Sequence, residues 1–124
     1  MKILFLGGGN MAFSMISGLI EEKHEIFVID PLSSARKKIL GISKTHKKCR
    51  SKIFAYKNAL EFSKFRINPS LTILAIKPQQ INSFYKSLNF EEFFWIQKKP
   101  ILSIVAGLSI KTLVKVTKNA NVVR

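Results

Sequence analysis

The sequence predicts an α/β domain: a doubly wound, mainly parallel sheet with helices on both faces. Three observations predict it. Apolar runs of strand length alternate with helix-period segments from one end to the other. The runs are near-continuously apolar, as strands are when both of their faces are covered. A glycine cluster, Gly7 to Gly9, stands between the first run and the first helical pattern.

Taken in order, residues 2–6 (KILFL) form a short buried strand ended by glycine. Residues 10–22 form a helix. Met11, Met15, Ile16, Leu19 and Ile20 recur there at helical spacing, which predicts core packing for that stripe. Asn10 is its cap or a first-turn residue. Residues 25–30 (EIFVID) form a second strand with an acid at its end. A helix over residues 33–40 follows, with Ser33 or Ser34 as cap. Then come a strand at 52–56, a short helix at 58–65 and a buried strand at 71–76 (LTILAI). A helix at 79–88 lies behind Pro78, and a short helix is expected at 91–98. A strand at 101–105 ends at Ala106 and Gly107. A helix at 109–117 and the start of a strand at 121–124 complete the pattern. No repeat, low-complexity segment or linker interrupts it, so one domain fills residues 1–124.

The 124 residues, 47% of them hydrophobic, suffice for one core. The apolar runs fall far short of the roughly 20 residues of a membrane span. The N-terminus lacks a signal-peptide core. A soluble, cytoplasmic protein with no membrane partner is therefore expected. The single cysteine, Cys49, excludes an internal disulfide and a cysteine-based zinc site. His24 and His46 have no ligand spacing, so no metal is expected. There is no Gly-x-Ser-x-Gly elbow for a serine nucleophile.

The net charge of +14 favours anionic partners. The lysines, however, are spread along the whole chain, and with ten phenylalanines they fit A/T-rich codon usage. Residues 36–52, the most basic run, carry no Phe, Tyr or Trp on which bases could stack. This argues against nucleic acid as the partner and leaves a modest electrostatic benefit to an anionic cofactor.

Gly7, Gly9 and Ala12 match the pattern Gly-x-Gly-x-x-Gly/Ala between a strand and a helix, the fingerprint of a Rossmann-like dinucleotide-binding domain. The spacing has physical reasons. Gly7 permits the tight turn, Gly9 lets the backbone approach a pyrophosphate, and Ala12 lets the helix lie close to the strand. The helix N-terminus offers N–H groups and a positive dipole end to the anion. Asp30 stands 23 positions after Gly7, where a carboxylate accepts from ribose hydroxyls and favours NAD(H). Ser33, Ser34 and Arg36 follow at once, with Lys37 and Lys38 beyond, and these suit the extra phosphate of NADP(H). The two signals conflict, and the choice of cofactor stays open.

Four stretches in order carry a family resemblance. GGGNMA at residues 7–12 resembles the opening turn of pyrroline-5-carboxylate reductases, which commonly read Gly-x-Gly-Asn-Met-Ala. YKNALEF (56–62), LAIKPQ (74–79) and SIVAGLSI (103–110) resemble three further segments of that family; each is modest alone, and the Lys-Pro-Gln element joined to Gly-Asn-Met-Ala is quite specific. The resemblance spans essentially the whole chain. It implies reduction of the cyclic imine 1-pyrroline-5-carboxylate to proline with NADPH or NADH. It implies that Gly7, Gly9, Asn10, Met11 and Ala12 line the pyrophosphate and that Asn58 reaches a ribose. It further implies that Ala75, Ile76, Lys77 and Pro78 pass beside the middle of the cofactor, and that Ala106 and Gly107 lie near the nicotinamide.

The sequence departs from the family at its end. There the Val-Val-Arg strand runs into Met-Pro-Asn and a second, all-helical domain that dimerises and holds substrate, whereas this sequence stops at Arg124. The expectation is a cofactor-binding half that alone binds the dinucleotide without turnover, with a separately encoded C-terminal half as a candidate partner. Two other readings remain: a non-catalytic dinucleotide module such as a redox sensor, and a basic nucleic-acid-binding remnant of the fold. A hydroxyacid dehydrogenase would more usually read Gly-x-Gly-x-Met-Gly and lack the Lys-Pro-Gln element.

Overall fold

The computed structural model describes residues 1–87, 99–104, 109–117 and 121–123. Six strands form one sheet: β1 (Lys2–Leu6), β2 (Glu25–Ile29), β3 (Lys52–Tyr56), β4 (Leu71–Leu74), β5 (Ile101–Ser103) and β6 (Val122–Val123). Their order is β3-β2-β1-β4-β5-β6, and every pair is parallel. Parallel neighbours require crossovers, and helices supply them: α1 (Asn10–Leu19), α2 (Ser33–Leu40), α3 (Ile42–Thr45), α4 (Ala59–Ser63), α5 (Ile81–Ser87) and α6 (Ile110–Thr117). A 3₁₀ turn, Pro78–Gln80, leads into α5.

The strands are apolar throughout because alternate side chains enter two different cores. Ile3 and Phe5 of β1, Ile26 and Val28 of β2 and Ile73 of β4 pack with Ala12, Ile16 and Ile20, with Ile39 of α2 and with Ile42 of α3. On the other face Leu4, Leu6, Phe27, Ile29 and Leu74 pack with Phe62 of α4, Ile81 and Tyr85 of α5 and Leu113 of α6. The expected doubly wound α/β sheet is the observed one.

Several boundaries differ from expectation, for physical reasons. Helix α1 ends at Leu19 rather than at residue 22, where Glu21 and Glu22 would put two acids against the negative end of the dipole. Met11 is 62% exposed and stands outside the core stripe, which is carried by Ile16 and Ile20 with Met15 and Leu19 partly buried. Ser33 and Ser34 do not cap α2. Leu32 is the cap position, and its own side chain makes no capping hydrogen bond. Strand β4 stops at Leu74, where the chain turns against Gly7. Helix α3 was not expected; it buries Ile42 directly behind Gly41. The helix expected at 91–98, the end of the strand expected at 101–105, and Ala106 and Gly107 lie outside the described residues.

Candidate dinucleotide site

Strand order reverses between β1 and β4, and ligands of open parallel sheets bind in the crevice at the carboxyl ends of such strands. The glycine turn leaves β1 at this point. Gly7 adopts φ +107°, and its N–H donates to the Ile29 carbonyl at 2.8 Å. A Cβ on Gly7 would lie 2.7 Å from the Ala75 carbonyl oxygen. Ala75 in turn donates its N–H to the Leu6 carbonyl at 2.8 Å. The turn is thus seated on the end of β4, and Gly7 is required on two counts: left-handed backbone and lack of room.

Gly9 behaves differently. It is the N-cap of α1 in extended conformation, and a Cβ there would meet nothing within 4 Å. No side chain caps the helix. The first intrahelical bond runs from Phe13 N–H to the Gly9 carbonyl at 2.9 Å. The N–H groups of the first turn, Asn10 to Ala12, have no acceptor within the helix. Ala12 is fully buried beneath it. Open space in front of an uncapped helix start is the geometry that accepts a phosphate. Lys38 of α2 reaches the same place, its Nζ 3.5 Å from Asn10 Oδ1 and 4.9 Å from the centre of the Phe13 ring.

Asp30 follows β2 and is only 9% exposed. Oδ2 accepts from Gly8 N–H and Oδ1 from Leu32 N–H, each at 2.8 Å. The carboxylate therefore ties the glycine turn to the start of α2. Gly8, a variable position of the motif, was not singled out by sequence. A Cβ there would press on Val28 Cγ1 at 3.2 Å and lie 3.4 Å from Asp30 Cβ. Arg36 folds back along α2, and its Nη1 donates to the Asp30 and Pro31 carbonyls at 2.8 and 2.9 Å. Ser33 is exposed in the first turn of α2.

Asn58 stands at the carboxyl end of β3 and caps α4, its Oδ1 accepting from Glu61 N–H at 2.8 Å. Glu61 accepts in return from Lys57 N–H at 2.8 Å. The Asn58 oxygen is thus engaged, while the amide N–H₂ remains a donor. At the end of β4, Ala75 and Ile76 are half-buried, whereas Lys77 and Pro78 are exposed. Gly7, Gly9, Asn10, Met11, Ala12, Asp30, Ser33, Arg36, Asn58 and Ala75 to Pro78 all follow the carboxyl ends of β1 to β4. Among the described residues no group of three His, Cys, Asp or Glu could hold a metal, and no helix is long and apolar enough to cross a membrane.

Such a sheet, with a glycine turn opening a helix at its switch point, is a dinucleotide-binding fold of the Rossmann type. Two solved structures share it. Shikimate dehydrogenase of Mycobacterium tuberculosis has a TM-score of 0.64 at 13% identity, covering 94% of this chain and 42% of that one. Shikimate 5-dehydrogenase of Listeria monocytogenes, solved with shikimate and NAD, has a TM-score of 0.62 at 11% identity, covering 98% and 44%. At these identities the likeness is one of fold.

Residues 2–107 match the family described as NADP oxidoreductase, coenzyme F420-dependent, and the chain belongs to that family. Within the curated proteins it is similar to the pyrroline-5-carboxylate reductase of Pasteurella multocida, 32% identical over 115 residues. That match covers 90% of this chain and 38% of the relative, so the chain spans well under half of the relative's length.

Proposed function

We propose that these 124 residues form the cofactor-binding domain of a pyrroline-5-carboxylate reductase, which converts 1-pyrroline-5-carboxylate to L-proline in the last step of proline biosynthesis. The observation that carries the reading is the uncapped start of α1 behind an open Gly9, at the switch point of the sheet. The similarity to the Pasteurella reductase supports the choice of substrate. A bound NADPH or NADH would supply the hydride that reduces the imine carbon, with a proton taken up at the imine nitrogen.

The chain's own residues bind and orient. Gly9, Asn10, Met11 and Ala12 present main-chain N–H groups to the pyrophosphate. The exposed Asn58 offers its N–H₂ to a ribose hydroxyl. Ala75 to Pro78 form the wall against which the middle of the cofactor lies. Hydride transfer needs donor and acceptor held at roughly 3–3.5 Å and shielded from water. The polypeptide that holds the imine lies outside these residues, on the same chain or on a separately encoded one. On this reading the 124 residues alone bind cofactor and do not turn over.

The test is a titration of the chain with NADPH and NADH, beside Gly9→Ala. The Gly9 backbone, at φ −76°, accepts a side chain without strain. The expected result is saturable binding, weakened at least tenfold in Gly9→Ala with the melting temperature unchanged. A folded chain that binds neither dinucleotide overturns the proposal.

A further inference from the structure

We propose that the outer edge of the sheet, where β3 meets α4, is a stacking surface for single-stranded nucleic acid. The surface lies apart from the dinucleotide crevice, and the proposal does not depend on what that crevice binds.

Strand β3 ends the sheet, with β2 on one side and no strand on the other among the described residues. Lys52, Phe54 and Tyr56 alternate onto one of its faces, the face on which α4 packs Phe62. Helix α4 has only five residues, and Phe54 stays 39% exposed beside it. Phe65, just past the helix, is 60% exposed. These two rings are the ends of one aromatic chain. Phe54 stacks on Phe27 at 5.4 Å and 14°, and Phe27 meets Phe62 at 5.9 Å. Phe62 meets Tyr56 at 5.2 Å, and Tyr56 meets Phe65 at 5.2 Å. Phe27, Phe62 and Tyr56 are buried, so the exposed rings are held before any ligand arrives. One face of Phe54 rests on Phe27, which leaves the other for a base.

Cations stand beside both rings. Lys52 precedes Phe54 on the same strand face by about 7 Å. Lys64 and Arg66 flank Phe65 in sequence. All three are exposed, and none makes an ion pair among the described residues. Arg66 keeps its place with left-handed backbone, φ 52°, a conformation that Gly or Asn adopts more cheaply. Glu61 is the sole acid from Pro31 to Phe90, and Lys57 N–H occupies one of its oxygens at 2.8 Å.

Rings set among cations match unpaired bases on a phosphate chain: the ring takes the base face and the cation the phosphate. A duplex keeps its base faces stacked away. A second copy, docked by a two-fold axis, would oppose these cations to themselves on a chain already at +14. An acidic peptide answers the cations but not the rings. The lack of rings within residues 36–52, which argues against nucleic acid in the sequence, is made good by the fold, since Phe54 and Phe65 come from outside that run.

The experiment follows fluorescence anisotropy of labelled oligothymidylate and oligouridylate, each about 12 nucleotides long, with the full 124-residue chain. A duplex of equal length and polyglutamate serve as competitors. The expected result is saturable binding of one or both single strands, at least about tenfold tighter than the duplex or polyglutamate, weakening as salt rises from about 50 to about 200 mM. Joint Phe54→Leu and Phe65→Leu, which keep apolar bulk but lose the ring faces, weaken it at least about tenfold, and the two Tyr replacements retain it. Joint Lys64→Gln and Arg66→Gln also weaken it and lower the salt slope. Joint Lys111→Gln and Lys115→Gln, the same loss of charge on α6 beside the opposite edge, change it less than about threefold. Saturating NADPH leaves it unchanged. Melting curves establish that each variant is folded, and the exposed Lys64 and Arg66 pair decides the matter if the leucine variant is not. Failure of a folded chain to bind either strand overturns the proposal. So do equal competition by polyglutamate, equal loss in the α6 control, unaltered binding by the folded leucine variant, and displacement by NADPH.

Discussion

At Gly7 the fold leaves no room for a side chain, whereas at Gly9 a Cβ would meet nothing within 4 Å. The two glycines of one motif therefore fail in opposite ways. Gly7→Ala forces a Cβ into the Ala75 carbonyl at φ +107° and is expected to cost at least about 3 kcal/mol, read as lost urea resistance. Two buried hydroxyls make the reverse prediction. Thr72 Oγ1 and Tyr85 Oη have no hydrogen-bond partner. Thr72→Val keeps the shape, removes an unanswered polar atom and is expected to stabilise by about 1 kcal/mol. Burial holds the Tyr85 hydroxyl well above its ordinary value of 10.0. The folded state thus keeps a proton that the unfolded chain releases above pH 10, and stability falls as pH rises through that region. Tyr85→Phe is expected to flatten this alkaline loss, measured by denaturant titration at pH 9 and pH 11. These residue roles differ in how far they could be read from sequence. The tight turn at Gly7 and the close packing of Ala12 were legible because a motif fixes them locally. The bracing by Asp30 was not, since it depends on Gly8, 22 residues away.

At the scale of elements, caps and contacts across the sheet decide what pattern alone leaves open. Helix α4 has five residues and depends on Asn58 for its start. Asn58→Ala is expected to cost about 1 kcal/mol through the lost cap. It should also weaken dinucleotide binding, and a binding loss larger than the fraction unfolded separates the two roles. Strands β1 to β4 were legible because continuous apolar runs bounded by turn residues have few other uses. Helix α2 was legible in extent but not in its cap. The sequence offers two serines for a cap, but the Asp30 carboxylate takes the Leu32 N–H from outside the helix, and the serines fall inside the first turn. A rule that looks only at the nearest hydroxyl cannot see an acceptor supplied by the preceding strand.

For the molecule as a whole, charge and fold point to different experiments. From Pro31 to Leu60 nine Lys and Arg residues stand without one acid, five of them in α2, α3 and the edge strand β3 and four in the adjoining loops. A chain of net charge +14 repels itself and attracts an anionic cofactor, and salt screens both. Raising salt from about 50 to about 500 mM is expected to raise the melting temperature by several degrees while weakening NADPH binding several-fold. A calorimetric pair, one melt and one titration at each salt, checks both signs. The sheet topology was readable as a class from the alternation of elements. The strand order and the seating of the glycine turn on β4 were not, because they join segments distant along the chain.

That seating also sets a clock. Ile3 is paired with Ile26 on one side and with Leu71 on the other. During synthesis at roughly 5–20 residues per second, several seconds separate the emergence of β1 from that of β4. In that interval the central strand has one open edge, and Gly7 has no Ala75 to rest on. The glycine turn, first in the sequence, is thus completed only once β4 has emerged. Whatever binds at that turn can assist only the stages of folding that follow the emergence of β4.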